Sequence, residues 1–107
     1  MSGRRLRFFP DYYADPVWAV GGGGMVNLDD LPVSDEARSV ARRWNRRWEQ
    51  LALKQQEAEA FVDGMSSRRV EPVADEEWAS LESDGRAVWQ RLRGELGSEW
   101  SLEWDYP

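Results

Sequence analysis

The stretch Ser34–Asp63, SDEARSVARRWNRRWEQLALKQQEAEAFVD, decides the fold. Ala37, Val40, Ala41, Trp44, Trp48, Leu51, Ala58, Phe61 and Val62 recur along it mostly at three- and four-residue intervals, and Gln55 is the one polar member of the row. That spacing follows the 3.6-residue period of an α-helix with one buried face. Two tryptophans one turn apart supply most of the apolar area, so the other elements are expected to pack on them. Ser34 can cap the free N–H groups of the first turn, and Asp35 and Glu36 complement the positive end of the helix dipole. Gly64 suits the position just past the end, where φ > 0 is needed. An unbroken helix over this stretch would reach about 43 Å. It must therefore break near Lys54–Glu57 or project beyond the domain. A projecting end would expose Phe61, Val62 and Met65, a candidate surface for homodimer formation.

Outward from this helix, Arg4–Phe8 alternates, with Leu6 and Phe8 on one side and Arg5 and Arg7 on the other. This predicts a short half-buried strand, ended by Pro10. Asp11–Pro16 reads as a loop carrying the adjacent Tyr12 and Tyr13. Val17–Val20 and Met25–Val26, joined by Gly21–Gly24, form a candidate hairpin with a loose, mobile tip. Asn27–Val33 reads as a turn. Beyond the polar connection Met65–Ala74, Asp75 is expected to cap a second helix. Its stripe is Trp78, Leu81, Gly85, Val88, Trp89, Leu92 and Leu96, and it closes at Gly97. A glycine on the apolar face costs about 1 kcal/mol against alanine, so Gly85 predicts a close approach of a neighbouring element. Trp100, Leu102, Trp104 and Tyr106 then alternate with Ser101, Glu103 and Asp105, a strand pattern. If the first and last strands are neighbours, Arg5 and Arg7 face Glu103 and Asp105 and help to set register. The expected fold is a single α+β domain over residues 1–107. Its small sheet, made of the N- and C-terminal strands and the candidate hairpin, is covered on one face by two antiparallel helices.

Composition narrows the chemistry. The 107 residues contain no cysteine and no histidine, which removes thiolate and imidazole metal sites, thiol nucleophiles and the commonest general base. No apolar run is long enough to span a bilayer, and the start Met1–Arg5 does not resemble a secretory leader, so no membrane association and a cytoplasmic location are expected. The four glycines lack the Lys-Ser/Thr or helix start of a phosphate loop. Asp29 with Asp30, or Glu76 with Glu77, could hold a hard cation, but neither has ligand-loop spacing. No cofactor or metal is implied, and the chain is expected to be non-catalytic.

The net charge of −6 is unevenly spread. Residues 1–54 hold nine basic and seven acidic side chains, and residues 55–107 hold five and thirteen. The seven tryptophans point to an aromatic-heavy core, or to a core plus an aromatic binding surface. Arg38, Arg42 and Arg46 form one i, i+4 row on the long helix, and Arg43 and Arg47 a second beside it. These arginines can meet the acidic patch of a protein partner, pair with Glu82 and Asp84 of the second helix, or lie solvated. Arginine interleaved with tryptophan also suits nucleic acid, but with the pI near 4.7 this is the less favoured alternative.

The segment Asp30-Leu-Pro-Val-Ser-Asp-Glu-Ala37, leading into an Arg/Trp-rich helix, is similar to small uncharacterised proteins of high-GC actinobacteria. So is Asp84-Gly-Arg-Ala-Val-Trp-Gln-Arg-Leu-Arg-Gly-Glu-Leu-Gly97 before an alternating strand. Such proteins often resemble immunity proteins or antitoxins, which implies a protein partner that is neutralised or modulated. The residues expected to bind it are Arg42, Arg43, Arg46 and Arg47 on the helix, with Trp18, Tyr12 and Tyr13 on the loops.

Overall fold

The computed structural model describes residues 4–65 and 67–106; the reading of the extreme N-terminus falls partly on residues 1–3, outside the described residues. The elements run β1 (Arg4–Phe8), β2 (Val17–Ala19), a 3-10 turn (Leu28–Asp30), α1 (Asp35–Val62), α2 (Asp75–Leu96) and β3 (Trp100–Trp104). The sheet order is β2-β1-β3, with β1 antiparallel to β2 and parallel to β3. Both helices cover one face of it. Leu6, Phe8, Val17 and Leu102 point inward to meet Ala37, Ala41, Trp44, Leu81, Val88, Leu92 and Leu96. The α+β architecture expected from the sequence is present, and the outward charges pair across β1 and β3. Arg5 reaches Glu103 at 2.8 Å and Arg7 reaches Asp105 at 3.3 Å.

The helices run antiparallel, as the ladder Glu36–Arg91, Arg47–Asp84 and Lys54–Glu77 requires. Gly85 lets them close. A Cβ there would lie 2.5 Å from Cζ2 of Trp44. The Trp44 indole instead fits over the glycine, donates to the Leu81 carbonyl at 2.8 Å and stacks on Phe8 at 5.0 Å. The other tryptophans spread around this centre, with Trp89 edge-on to Trp104 and donating to the Leu102 carbonyl.

Three local expectations are corrected. The hairpin is present only as a single bridge, Trp18 to Met25, flanked by bonds from the Ala19 N–H to the Gly24 carbonyl and from the Val26 N–H to the Val17 carbonyl, and the longer ladder of β2 is with β1. Gly21, Gly22 and Gly24 have positive φ and so cannot continue a ladder. The N-cap of α2 is Ala74, not Asp75; the Glu77 carboxylate accepts from the Ala74 N–H at 3.2 Å and does half the work of a capping box. β3 ends at Trp104, because β1, its partner strand, ends at Phe8; the Asp105 N–H still reaches the Phe8 carbonyl.

Finally, α1 does not break. Its 28 residues run about 42 Å and end in a paired cap, Met65 N–H to Ala60 C=O and Gly64 N–H to Phe61 C=O, with Gly64 at φ 74°. Gln55, the polar residue in the apolar row, accepts from the Val73 N–H and ties the returning chain to the helix. Beyond Gln56, which donates to the Tyr12 hydroxyl, residues 69–72 of the connecting segment border the helix.

Candidate partner-binding face

The five arginines of α1 divide by what they touch. Arg38 donates to the carbonyls of Leu28 and Leu31, both at 3.0 Å, and pairs with Asp35. Arg42 forks onto both oxygens of Asp15 at 3.1 Å, and its Nη2 also reaches Asn27 and Asp29. Asp15 accepts a further bond from the Leu28 N–H. Burial pushes the Asp15 carboxyl up, but the Arg42 guanidinium and the Leu28 N–H outweigh it and hold the group below the usual carboxylate value. Arg42 is raised in turn, first by its bond to Asp15. These two arginines therefore staple the 27–31 turn to the helix. Arg47 clamps α1 to α2 through Asp84 at 2.5 Å and Ser80 at 3.0 Å.

Arg43 and Arg46 remain. Both are exposed, and neither forms an ion pair among the described residues. They face different ground. Arg46 borders a cleft of about 410 Å³ with Tyr13, Met25 and Glu49. Arg43 borders a smaller groove of about 280 Å³ between the helices, beside Arg47 and Asp84.

Asn45 sets the tyrosine loop. It is the one buried polar side chain among the described residues, and it grips Asp11 at both ends, accepting from the backbone N–H and donating to the carbonyl. The Asp11 carboxylate then accepts from the Tyr12 N–H at 2.7 Å. Tyr12 turns inward, its ring 4.9 Å from Trp48 and its hydroxyl accepting from Gln56. Tyr13 turns outward. Its N–H is held by the Glu49 carboxylate, its φ is +52°, and 94% of the residue is exposed. A non-glycine residue in this region costs about 1–3 kcal/mol, so the surrounding bonds impose the conformation. Trp18 lies elsewhere, on the outer face of the sheet, stacked on Phe9 at 4.8 Å and donating to its carbonyl.

The seven residues singled out from the sequence therefore do not form one patch. Tyr13 and Arg46 share the cleft that Arg42 floors. Arg43 and Arg47 lie in the interhelical groove, Tyr12 supports from within, and Trp18 faces another way. Four members of the assembly escaped the sequence reading: Asn45, Glu49, Asp15 and Met25. Only Asn45 left a trace, as an uncharged polar residue set among arginines. The others depend on loop paths that no periodicity encodes.

Fold and face together define a small α+β domain that displays its free chemistry on an open surface rather than in a deep cavity. Residues 4–106 match the family model described as Serratia CdiI immunity protein-like, and the chain belongs to this family. A search of curated proteins gave no match. The family bears out the immunity-protein side of the resemblance seen in residues 30–37 and 84–97. No described helix is long and apolar enough to cross a membrane.

Proposed function

We propose that this protein is the immunity partner of a toxin, which it neutralises in the cytoplasm by binding and without catalysis, through the face centred on Tyr13 and Arg46. The observation that carries the reading is Tyr13, an aromatic ring held almost fully in solvent on a strained backbone. Its backbone is already fixed before any partner arrives, by the Glu49 carboxylate on its N–H, which lowers the entropy cost of ordering the loop on docking. Tyrosine and arginine are the side chains most often dominant in interface energetics. Met25 adds apolar area beside them. The complementary toxin surface is acidic, with a pocket for one aromatic ring.

The nucleic-acid alternative is weaker. Arg38, Arg42 and Arg47 are already neutralised by carboxylates of the same chain, which leaves two free guanidinium groups on α1, few for a phosphate-tracking surface. The test is a tagged capture from the native host at low and moderate salt, read by mass spectrometry and absorbance at 260 nm. It is run with the unmodified chain, with Tyr13→Ala and with Arg46→Glu. One stoichiometric protein that survives moderate salt and is lost with either variant supports the reading. Capture that both variants leave unchanged moves the site off this face. Nucleic acid that washes away with salt replaces the proposal with the alternative.

A further inference from the structure

The sheet has two edges, and among the described residues the chain closes only one. Residues 24–26 run beside β2, joined to it by bonds at Ala19 and Val17. β3 has β1 on one side and no strand on the other. Bonds from the Arg4 N–H to the Glu99 carbonyl and from the Asp105 N–H to the Phe8 carbonyl fix the phase of its parallel ladder. In that phase Ser101 and Glu103 aim their N–H and C=O groups at β1, and Trp100, Leu102 and Trp104 aim theirs at the free edge. The Trp100 N–H is turned back onto the Gly97 carbonyl, and the Trp89 indole takes one lone pair of the Leu102 carbonyl at 2.8 Å. The Trp100 carbonyl and the N–H groups of Leu102 and Trp104 have no partner among the described residues. A groove of about 600 Å³ runs along this edge beside α2, lined by Trp89, Arg93, Trp100 and Leu102. A free strand edge is a template for one more strand, which supplies backbone donors and acceptors in the matching order.

The side chains beside the edge select what that strand carries. Arg86 and Arg93 lie seven residues apart, so they share one side of α2. Arg86 stands over the Trp104 ring at 4.5 Å and Arg93 over the Trp89 ring at 4.6 Å. Those rings hold the two guanidinium groups in place without neutralising them, and neither forms an ion pair or hydrogen bond among the described residues. Glu103 lies on the other face of the sheet and is taken by Arg5. Two-fold antiparallel pairing of two β3 edges would set the Trp104 end of one copy, with Arg86, against the Trp100 end of the other, with Arg93. Like charge then meets like, so the edge is built against its own copy. We propose that the groove takes an extended, acidic segment of the toxin, added to β3 as a fourth strand with its carboxylates on Arg86 and Arg93. The two arginines are about 10.5 Å apart along the helix axis. Same-face positions of a strand repeat about every 6.7 Å, so carboxylates two or four residues apart reach both. The assignment rests on the toxin-binding reading above and adds a second contact at the sheet edge opposite β2, separate from Tyr13 and Arg46.

The test uses the full chain, free and in complex with the protein that it captures, and reads amide hydrogen exchange residue by residue by NMR. The N–H groups of Leu102 and Trp104 are expected to slow in the complex by about tenfold more than those of Ser101 and Glu103, which β1 already holds. Arg86→Glu with Arg93→Glu is expected to weaken the complex about tenfold or more, with an unchanged circular dichroism spectrum because both residues are exposed. Equal slowing at all four positions overturns the proposal, as does an affinity that the double variant leaves unchanged. If the complex is then still lost with Tyr13→Ala, the immunity reading stands without a fourth strand. Protection of Leu102 and Trp104 in the chain alone as its concentration rises makes the added strand a second copy's and also overturns the proposal. A chain that captures no protein at any salt overturns both readings.

Discussion

Gly85→Ala is the substitution for which helix propensity and tertiary packing make opposite forecasts. By helix propensity alone, alanine in the middle of α2 stabilises by about 1 kcal/mol. The structure places the new methyl 2.5 Å from Cζ2, 2.7 Å from Cε2 and 3.0 Å from Nε1 of Trp44. Carbon atoms in contact prefer about 3.5–4.0 Å, so the ring or the helix must move by about 1 Å. The ring has nowhere to go. Trp44 is 4% exposed, stacks on Phe8, meets Tyr106 edge-on and donates to the Leu81 carbonyl. Overpacking a core costs about 1–3 kcal/mol, and straining the buried hydrogen bond adds about 1–3 kcal/mol more. Net of propensity, Gly85→Ala should destabilise by about 1–5 kcal/mol. Urea unfolding followed by tryptophan fluorescence measures this directly. Gly94→Ala on the same helix is the control, since a Cβ there meets nothing within 4 Å, and it should stabilise by about 1 kcal/mol. If Gly85→Ala proves as stable as the unmodified chain, the helices do not meet at Trp44 and the account of the core is wrong.

Tyr13→Gly relieves the positive φ and should raise stability by about 1 kcal/mol while weakening toxin capture, a pairing read by the same unfolding assay and the capture experiment. Arg42→Ala leaves Asp15 largely buried without its guanidinium and should cost about 1–3 kcal/mol in urea, whereas Arg5→Ala, at an exposed pair, should cost under about 1 kcal/mol. Because the folded-state Asp15 carboxyl lies below its ordinary value of 3.8, its contribution is complete above that pH and fades as the pH falls through the lower folded value. Acid titration of unfolding should show a shallower loss of stability in Asp15→Asn than in the unmodified chain; equal slopes below pH 4 would deny Asp15 this role.

Period and punctuation determined the elements of this protein. The 3.6-residue rows of α1 and α2, the Ser34 cap, Gly64 past the helix end and the alternation at both termini are local signals, each written in neighbouring residues. Even the pairing of β1 with β3 was legible, since Arg5 and Arg7 needed the opposite charges of Glu103 and Asp105. Gly85 announced a close approach for the same reason, as no local advantage accounts for a glycine on an apolar helix face. Which arginines stay free was not legible. Five guanidinium groups on one helix look alike in sequence, and Arg42 differs from Arg46 only because Asp15 in one loop and Asp29 in the 3-10 turn both reach one and not the other. The same holds for Tyr12 and Tyr13, adjacent in the chain but sent in opposite directions by Asn45 and Glu49. Secondary structure follows from periodicities within a few residues, whereas the exposed chemistry depends on side chains brought together from 13 to 37 positions apart. Only the tertiary fold supplies that proximity.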